Sequence, residues 1–109
     1  LIRDFVKKPV PKDFHAMKLS ARRLFWAGSF EDKSDLVPRD RVCALEVWCE
    51  CLDGDPKMMR RSDAKEINQI LAGLPGAERS KGAMRFGYCG VQKGFLLHSA
   101  EELQRESYT

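Results

Sequence analysis

The spacing of the apolar residues changes at Leu74-Pro75-Gly76, and this change constrains the possible folds more than any other feature of the chain. Before it, apolar residues recur every three or four positions, as they do along one face of a helix. After it, they alternate with other residues, as they do along a strand. The 109 residues are the length of a single domain. We therefore predict a small, mainly helical α+β domain that ends in a β-hairpin.

Two predicted helices lie well before the change in spacing. The first covers about residues 20–27. The second begins at Pro38, because proline suits the first position of a helix, and it ends before Gly54, which favours the left-handed conformation found at helix ends. This helix carries a predicted apolar stripe of Val42, Leu45, Cys49 and Leu52, widened by Trp48.

The third predicted helix begins near Ser62 or Asp63 and ends at Pro75-Gly76. Its predicted buried face consists of Ala64, Ile67, Ile70, Leu71 and Leu74. The opposite face carries Lys65, Asn68, Gln69 and Ala72. Amide side chains can bind the edges of bases, so this face is a candidate DNA-reading surface. The alternative is a plain solvated face.

Residues 83–97 are predicted to form the hairpin, with its reversal point at Cys89-Gly90. Helices followed by a twisted hairpin are typical of a winged-helix-like domain, in which one helix and the hairpin face a DNA duplex. Such a domain has a short helix before the recognition helix. We expect residues 57–60 or 76–79 to supply it.

The sequence pattern divides the chain into three parts. Residues 1–18 contain Pro9 and Pro11 among scattered charges, and we interpret them as a connector from an upstream domain. Residues 19–98 form the winged-helix-like domain. Residues 99–109 form a C-terminal tail, in which Ser99 and Glu102 cap a further helical turn. Since the chain opens in mid-pattern and without methionine, we expect it to be a fragment of a longer protein.

The positive charge is concentrated in one third of the chain. The net charge is +3, but residues 57–94 carry eight basic and three acidic side chains, a local net charge of +5. Such a concentration indicates a phosphate-binding surface, and the alternative is a solvated basic surface without a partner. The candidate nucleic-acid-binding residues are Arg60, Arg61, Lys65, Asn68, Gln69, Arg79, Lys81, Arg85 and Lys93.

The four cysteines are predicted to be free and to bind no metal. Cys43, Cys49, Cys51 and Cys89 contain no C-x-x-C spacing, and both histidines are distant in sequence. Zinc ligands usually come as closely spaced pairs. Thiols that pack as small apolar groups in a reducing compartment explain the pattern better.

The chain also lacks the motifs of common catalytic sites. It contains no phosphate-cradling G-x-x-x-x-G-K-[ST] loop, no G-x-S-x-G elbow and no H-E-x-x-H helix. Glu46 and Glu50 could form a carboxylate pair, but a solvated or ion-paired role is predicted for them beside Arg39 and Arg41. We expect no enzymatic activity, no cofactor and no small-molecule substrate. No apolar run approaches the length of a membrane span, so no membrane partner is expected.

Four segments resemble the C-terminal region of the virulence-associated protein E family. The central one reads Arg39-Asp40-Arg41-Val42-Cys43-Ala44-Leu45-Glu46-Val47-Trp48-Cys49-Glu50. The others are Pro9-Val10-Pro11 with residues 22–26, Leu74-Pro75-Gly76, and residues 88–95, so the resemblance covers about residues 1–97. In one departure, Ala77 stands where the family has tryptophan, which puts in doubt an aromatic anchor at the start of the hairpin.

The resemblance implies a place in a larger protein. Members of this family are large proteins of phages and mobile elements, similar to primase-helicases with an ATPase motor. This chain would lie beyond the motor as an accessory domain in DNA replication, in the cytoplasm of a bacterial host. Its expected partners are DNA and the upstream ATPase domain of the same protein.

These observations are therefore consistent with two functions. In the first, the third helix and the hairpin bind DNA, and the candidate cations cluster on one face. In the second, the domain is a docking or oligomerisation module, in which Trp26, Trp48 and the apolar stripe pack on the parent ATPase. An open apolar patch would favour the second function.

Overall fold

A computed structural model describes residues 1–28 and 36–98 of the chain. The helices are α1 (Ile2–Lys7), α2 (Leu19–Trp26), α3 (Ala44–Glu46), which continues directly into a π-helix (Val47–Cys51), and α4 (Arg61–Ala72). The strands are β1 (Val10–Pro11), β2 (Leu36–Val37), β3 (Arg41–Val42), β4 (Ala77–Arg79), β5 (Met84–Arg85), β6 (Val91–Gln92) and β7 (Phe95–Leu97). Short 3-10 turns occupy Phe14–Ala16, Pro56–Met58 and Gly87–Cys89. The α+β class predicted from the sequence is confirmed.

The central element of the fold is a three-stranded antiparallel sheet in the order β3-β7-β4. Phe95 in the middle strand lies opposite Val42 on one side and Arg79 on the other. Phe95 and Val42 are buried in the main core, which α4 completes with Ile67 and Leu71. The core therefore lies between this sheet and α4. None of the helices described above is long and apolar enough to cross a membrane.

Residues 1–18, which we interpreted as a connector, are packed into the domain. Helix α1 places Phe5 and Val6 in the main core. Strand β1 pairs with β2, and Phe14 is fully buried in a second core cluster with Val10. The two prolines of this segment lie beside or within a two-residue strand, where a missing amide donor is tolerated. The segment thus forms part of the fold instead of leading into it.

The second predicted helix starts six residues later than Pro38. Arg41 and Val42 form strand β3 and pair with Leu96 and Phe95, so the helical part begins only at Ala44. Val42 fits the helical spacing of the apolar stripe, so the sequence places it in the helix. Only its pairing with Phe95, 53 residues later in the chain, shows that it is extended.

The predicted place of Leu52 on the apolar stripe is also wrong, because the hydrogen-bond pattern of the helix changes before this residue. The Leu52 N–H donates to the Val47 carbonyl five residues earlier, at 3.0 Å. A π-turn takes about one residue more than an α-turn, so residues spaced for an α-helix no longer return to one face. Cys49 is fully buried, whereas Leu52 is 41 % exposed.

The third predicted helix matches α4 closely. It starts one or two residues earlier than expected, since the Arg60 N–H donates to Asp63 Oδ2 at 3.0 Å and Asp63 lies inside the first turn. Ile67 and Leu71 are buried as predicted, but Ile70 is 42 % exposed.

The predicted hairpin over residues 83–97 is divided between two sheets. Only β5 and β6 pair in it, and a 3-10 turn and Gly90, at a φ of 72°, connect them. After Gly94 the chain leaves this ladder, and β7 becomes the middle strand of the main sheet. The burial of Phe95 in the main core explains this switch. The predicted C-terminal tail and its helical turn lie outside the described residues.

Replacing Gly94 with alanine is expected to lower the free energy of unfolding by about 1–3 kcal/mol, the usual cost of overpacking a tight site. A Cβ at this position would lie 2.5 Å from Phe86 Cζ and 2.6 Å from the Val42 carbonyl oxygen. Urea denaturation measures the change. The matched control is Gly82→Ala, whose added Cβ meets nothing within 4 Å and should change the stability by about 0.5 kcal/mol or less. Equal stability of the two variants would contradict this packing.

Candidate nucleic-acid interface

A surface pocket of about 250 Å³ lies between α4 and the segment that joins β4 to β7. We call it the cationic pocket, and its lining residues are Asn68, Arg79, Ser80, Lys81, Lys93, Gly94 and Phe95. Four of these belong to the nine candidate nucleic-acid-binding residues. The fold thus brings together residues that are up to 25 positions apart in the chain.

The shape of the cationic pocket depends on a clamp between Ser80 and Gly94. The Ser80 N–H donates to the Gly94 carbonyl at 2.9 Å, and the Gly94 N–H donates to Ser80 Oγ at 3.1 Å. Lys81 immediately follows one end of the clamp, and Lys93 immediately precedes the other. The clamp therefore holds both lysines at the rim of the same pocket.

Arg79 and Asn68 complete the pocket from two regular elements. Arg79 is the last residue of β4, and its guanidinium carbon lies 5.6 Å from the centre of the Phe95 ring on the neighbouring strand. This cation–π contact restrains a long side chain. Asn68 follows the buried Ile67 on α4 and is half-buried, so the helix that packs on the core also directs an amide to the pocket.

The candidate cations differ in their ionic partners from four other arginines of the chain. Arg22, Arg23, Arg39 and Arg41 each lie within 4.0 Å of a carboxylate. Within residues 1–28 and 36–98, no ion pair involves any of the seven candidate cations, which are Arg60, Arg61, Lys65, Arg79, Lys81, Arg85 and Lys93. Among the described residues, no carboxylate lines the cationic pocket either. Their positive charge is thus available to an anionic partner.

The remaining five candidates lie outside the lining of the pocket. Arg61, Lys65 and Gln69 are exposed at spacings of four along α4 and share one face of this helix. Asn68 adjoins that face and connects it to the pocket. Arg60 is exposed just before α4, and Arg85 is exposed on β5.

A second polar cluster, which the sequence did not predict as buried, lies inside the domain. We call it the buried charge network, and its members are Arg22, Arg39, Glu46, Glu50 and Tyr88. Arg22 Nη1 donates to Glu46 Oε2 at 2.6 Å and to Glu50 Oε2 at 3.0 Å. Arg39 Nη2 lies 3.2 Å from Glu46 Oε1, and the Tyr88 hydroxyl donates to Glu50. The predicted ion-paired role of Glu46 and Glu50 is confirmed, but both carboxylates are removed from water.

The electrostatics of the buried charge network indicate a structural role. Burial by itself would lower the pKa of Arg22, but the carboxylates of Glu50 and Glu46 more than offset it and raise this pKa. Burial, followed by the adjacent Glu50 carboxylate, raises the pKa of Tyr88 well above its usual range. Two positive and two negative groups therefore balance one another. No member of the network lines the cationic pocket.

The cysteines are free, and three of the four are buried. Burial is the largest of the effects that raise the pKa of Cys49, to about 11, so this thiol is neutral at physiological pH. Neutral thiols are weak nucleophiles and weak metal ligands. In the part of the chain that the structure describes, no group of three or more His, Cys, Asp or Glu residues could hold a metal ion.

Two comparisons with known proteins, one with family models and one with curated proteins, give no match. The resemblance to the virulence-associated protein E family thus stays a hypothesis.

Proposed function

We propose that this domain binds DNA through α4 and the segment between β4 and β7, as an accessory domain of a replication protein. The observation that carries the proposal is the cationic pocket, where Asn68 meets three cations without a carboxylate among the lining residues. Phosphate groups are the natural partners of such a surface, because association releases the counterions of the DNA.

The order of the elements supports the proposal. After α2 and the short strand β2, the chain forms β3, the α3 and π-helical segment, α4, β4, the β5–β6 pair and β7. The strand order in the main sheet is β3-β7-β4. This arrangement is similar to that of a winged helix, with α4 in the place of the recognition helix and residues 80–94 in the place of the wing. Residues 44–51 would take the place of the short intervening helix. Of the two segments expected to supply a helical turn, residues 57–60 overlap the 3-10 turn Pro56–Met58, whereas residues 77–79 form strand β4.

The proposed setting follows from the sequence resemblance. The domain would act beyond the ATPase motor of a phage or mobile-element protein, in the bacterial cytoplasm, and would itself be non-catalytic. DNA binding by the domain would hold the motor on its substrate during replication of the element.

The docking alternative has less support, because the residues proposed for it have partners inside the domain. The Trp26 indole N–H donates to Glu50 Oε1 at 2.8 Å, and the Trp48 indole N–H donates to the Asp55 carbonyl at 2.7 Å. Val42 and Cys49 of the apolar stripe are fully buried in this chain. Among residues 1–28 and 36–98, the exposed large apolar side chains are Leu1, Leu24, Leu52, Met58, Ile70 and Val91.

Fluorescence anisotropy on a labelled DNA duplex, at several salt concentrations, tests the proposal. A surface that contacts about four phosphates should give a slope near −3 to −4 in log affinity against log salt. Lys93→Glu should weaken binding to all sequences alike and reduce the slope by about 1. Arg85→Glu, on the exposed strand β5, tests whether the contact extends along the wing.

The matched control is Lys12→Glu, which makes the same charge change at an exposed residue outside the lining of the cationic pocket. Gln69→Ala should leave the salt slope unchanged but alter the preference between sequences, since an amide on the exposed face of α4 can bind base edges. Absence of binding at low salt would overturn the proposal. An equal loss in Lys93→Glu and Lys12→Glu would overturn the assigned surface and favour the docking module.

A further inference from the structure

We propose that the cationic pocket binds the terminal phosphate of a DNA strand, a phosphate monoester, in preference to a phosphodiester within the strand. The inference rests on the proposed DNA binding, and it adds the class of phosphate that this site selects. It would make the domain a reader of strand ends.

The number of cations in the pocket favours a phosphate monoester. Arg79, Lys81 and Lys93 line one pocket of about 250 Å³, and its lining within residues 1–28 and 36–98 contains no acidic side chain. A phosphodiester carries a single negative charge, whereas a phosphate monoester carries about −1.5 to −2 at neutral pH. Because the attraction is proportional to the charge of the ligand, three converging cations favour the monoester.

The number of hydrogen-bond donors in the pocket favours the same ligand. Arg79 supplies a planar fork, each lysine supplies three N–H groups, and the amide of Asn68 supplies two more. Ser80 Oγ already donates to the Gly82 carbonyl at 2.9 Å and accepts the Gly94 N–H, so it shapes the site instead of binding the ligand. A monoester offers three terminal oxygens to these donors, and a diester offers two.

A second depression lies across the edge strand β4 from the cationic pocket. It has a volume of about 280 Å³ and shares Arg79, Ser80 and Lys81 with the first, while Met84 and Leu96 add apolar surface. Glu78 also lines it, but its carboxylate lies 2.8 Å from His98 Nε2. Glu78 and Leu96 alternate with Arg79 and Phe95 along paired strands, so the second depression opens on the other face of the sheet, and the Arg79-Ser80-Lys81 segment is the edge that both share. A strand end can reach over this edge, with its phosphate in the cationic pocket and its base against the apolar side chains on the other side. A nucleotide inside a duplex cannot enter in this way, because its base is stacked on both sides.

Binding of otherwise identical oligonucleotides with different ends tests the inference. The three probes carry a 5′-phosphate, a 3′-phosphate or only hydroxyl groups, and competition anisotropy gives their relative affinities. One phosphorylated probe should bind about tenfold more tightly than the hydroxyl probe, which corresponds to about 1.4 kcal/mol. Equal affinity of all three would overturn the inference and leave the proposed DNA binding intact. Absence of binding by any probe would instead overturn the proposed function.

Variants assign the preference to the pocket. Lys93→Gln and Asn68→Ala should each reduce the preference for the phosphorylated end to about twofold or less. The matched control is Lys65→Gln on the exposed face of α4, which should weaken all probes equally and keep the preference. Circular dichroism verifies that each variant is folded. If Lys65→Gln removed the preference and Lys93→Gln kept it, the site would be on the helix face and the assignment would be overturned.

Free inorganic phosphate carries the same chemical group and is the alternative ligand of the cationic pocket. Titration of the protein with inorganic phosphate and with a nucleoside 5′-monophosphate, followed by calorimetry, separates the two. For a strand-end site, both should bind at least 100-fold more weakly than the phosphorylated oligonucleotide. If inorganic phosphate bound as tightly as the oligonucleotide, the pocket would be a site for the free anion and the strand-end assignment would be overturned.

Discussion

Glu46→Gln is expected to lower the free energy of unfolding by about 3–5 kcal/mol, the usual cost of removing one partner from a buried ion pair. Glu46 is fully buried, and its two oxygens contact Arg22 at 2.6 Å and Arg39 at 3.2 Å. Glutamine keeps the shape of the side chain but removes its charge. Arg39 would then lose the carboxylate that it contacts, and Arg22 would keep only that of Glu50.

The backbone contact of Glu46 adds to this effect. Its Oε1 accepts the Cys43 N–H at 3.0 Å, at the point where β3 turns into α3. Glutamine has a single acceptor oxygen, so it can accept either from Arg22 or from the Cys43 N–H, and the NH2 group faces a donor at the other position. The substitution therefore weakens either the buried charge network further or the start of the helical segment. Since small domains have free energies of unfolding of about 5–15 kcal/mol, the variant should unfold at a much lower urea concentration.

Urea denaturation followed by tryptophan fluorescence measures this effect, because Trp26 donates to Glu50 and so reports on the network. The matched control is Glu66→Gln on the exposed surface of α4, which should change the stability by about 0.5 kcal/mol or less. A loss below about 1 kcal/mol for Glu46→Gln would mean that the network is open to water.

Leu71→Ala should have a comparable effect, with a loss of about 2–5 kcal/mol in the free energy of unfolding. Leu71 is fully buried in the main core, where it packs with the side chains of α1, the π-helix and the central sheet. Alanine removes the contacts of the branched side chain and leaves a cavity that its neighbours fill only in part.

The preceding residue provides the matched control for Leu71. Ile70 belongs to the same predicted stripe but is 42 % exposed. Ile70→Ala should cost about 1 kcal/mol or less, because half of the side chain is already hydrated and alanine has the higher helix propensity. Denaturation of both variants under the same conditions measures the difference. Equal losses would mean that α4 is rotated relative to the core, and the cationic pocket would then lose Asn68 from its wall.

Local patterns in the sequence were sufficient for several features of this protein. The change in spacing at Leu74-Pro75-Gly76 predicted the α+β class, and the periodicity over residues 62–74 predicted α4 within two residues at each end. The excess of cations in residues 57–94 singled out the side chains that now line or adjoin the pocket. Each of these signals lies within a short window, where helix periodicity, end signals and composition act directly.

Other features depended on the tertiary structure, because they require residues that are distant in sequence. The extended conformation of Arg41 and Val42 depends on pairing with Leu96 and Phe95, and the helical spacing of their neighbours concealed it. The burial of Glu46 likewise depends on Arg22, which reaches it from α2.

The candidate site also combines features that the sequence predicts with features that depend on the tertiary structure. The nine candidate residues were identified from the type of side chain and its position along helix and strand, but four of them meet in one pocket and five do not. Only the clamp between Ser80 and Gly94 and the packing of α4 on the sheet decide which cations converge. Sequence by itself determined that this part of the chain carries unneutralised positive charge. The tertiary structure decided where that charge is concentrated, because convergence is set by long-range contacts that no local pattern encodes.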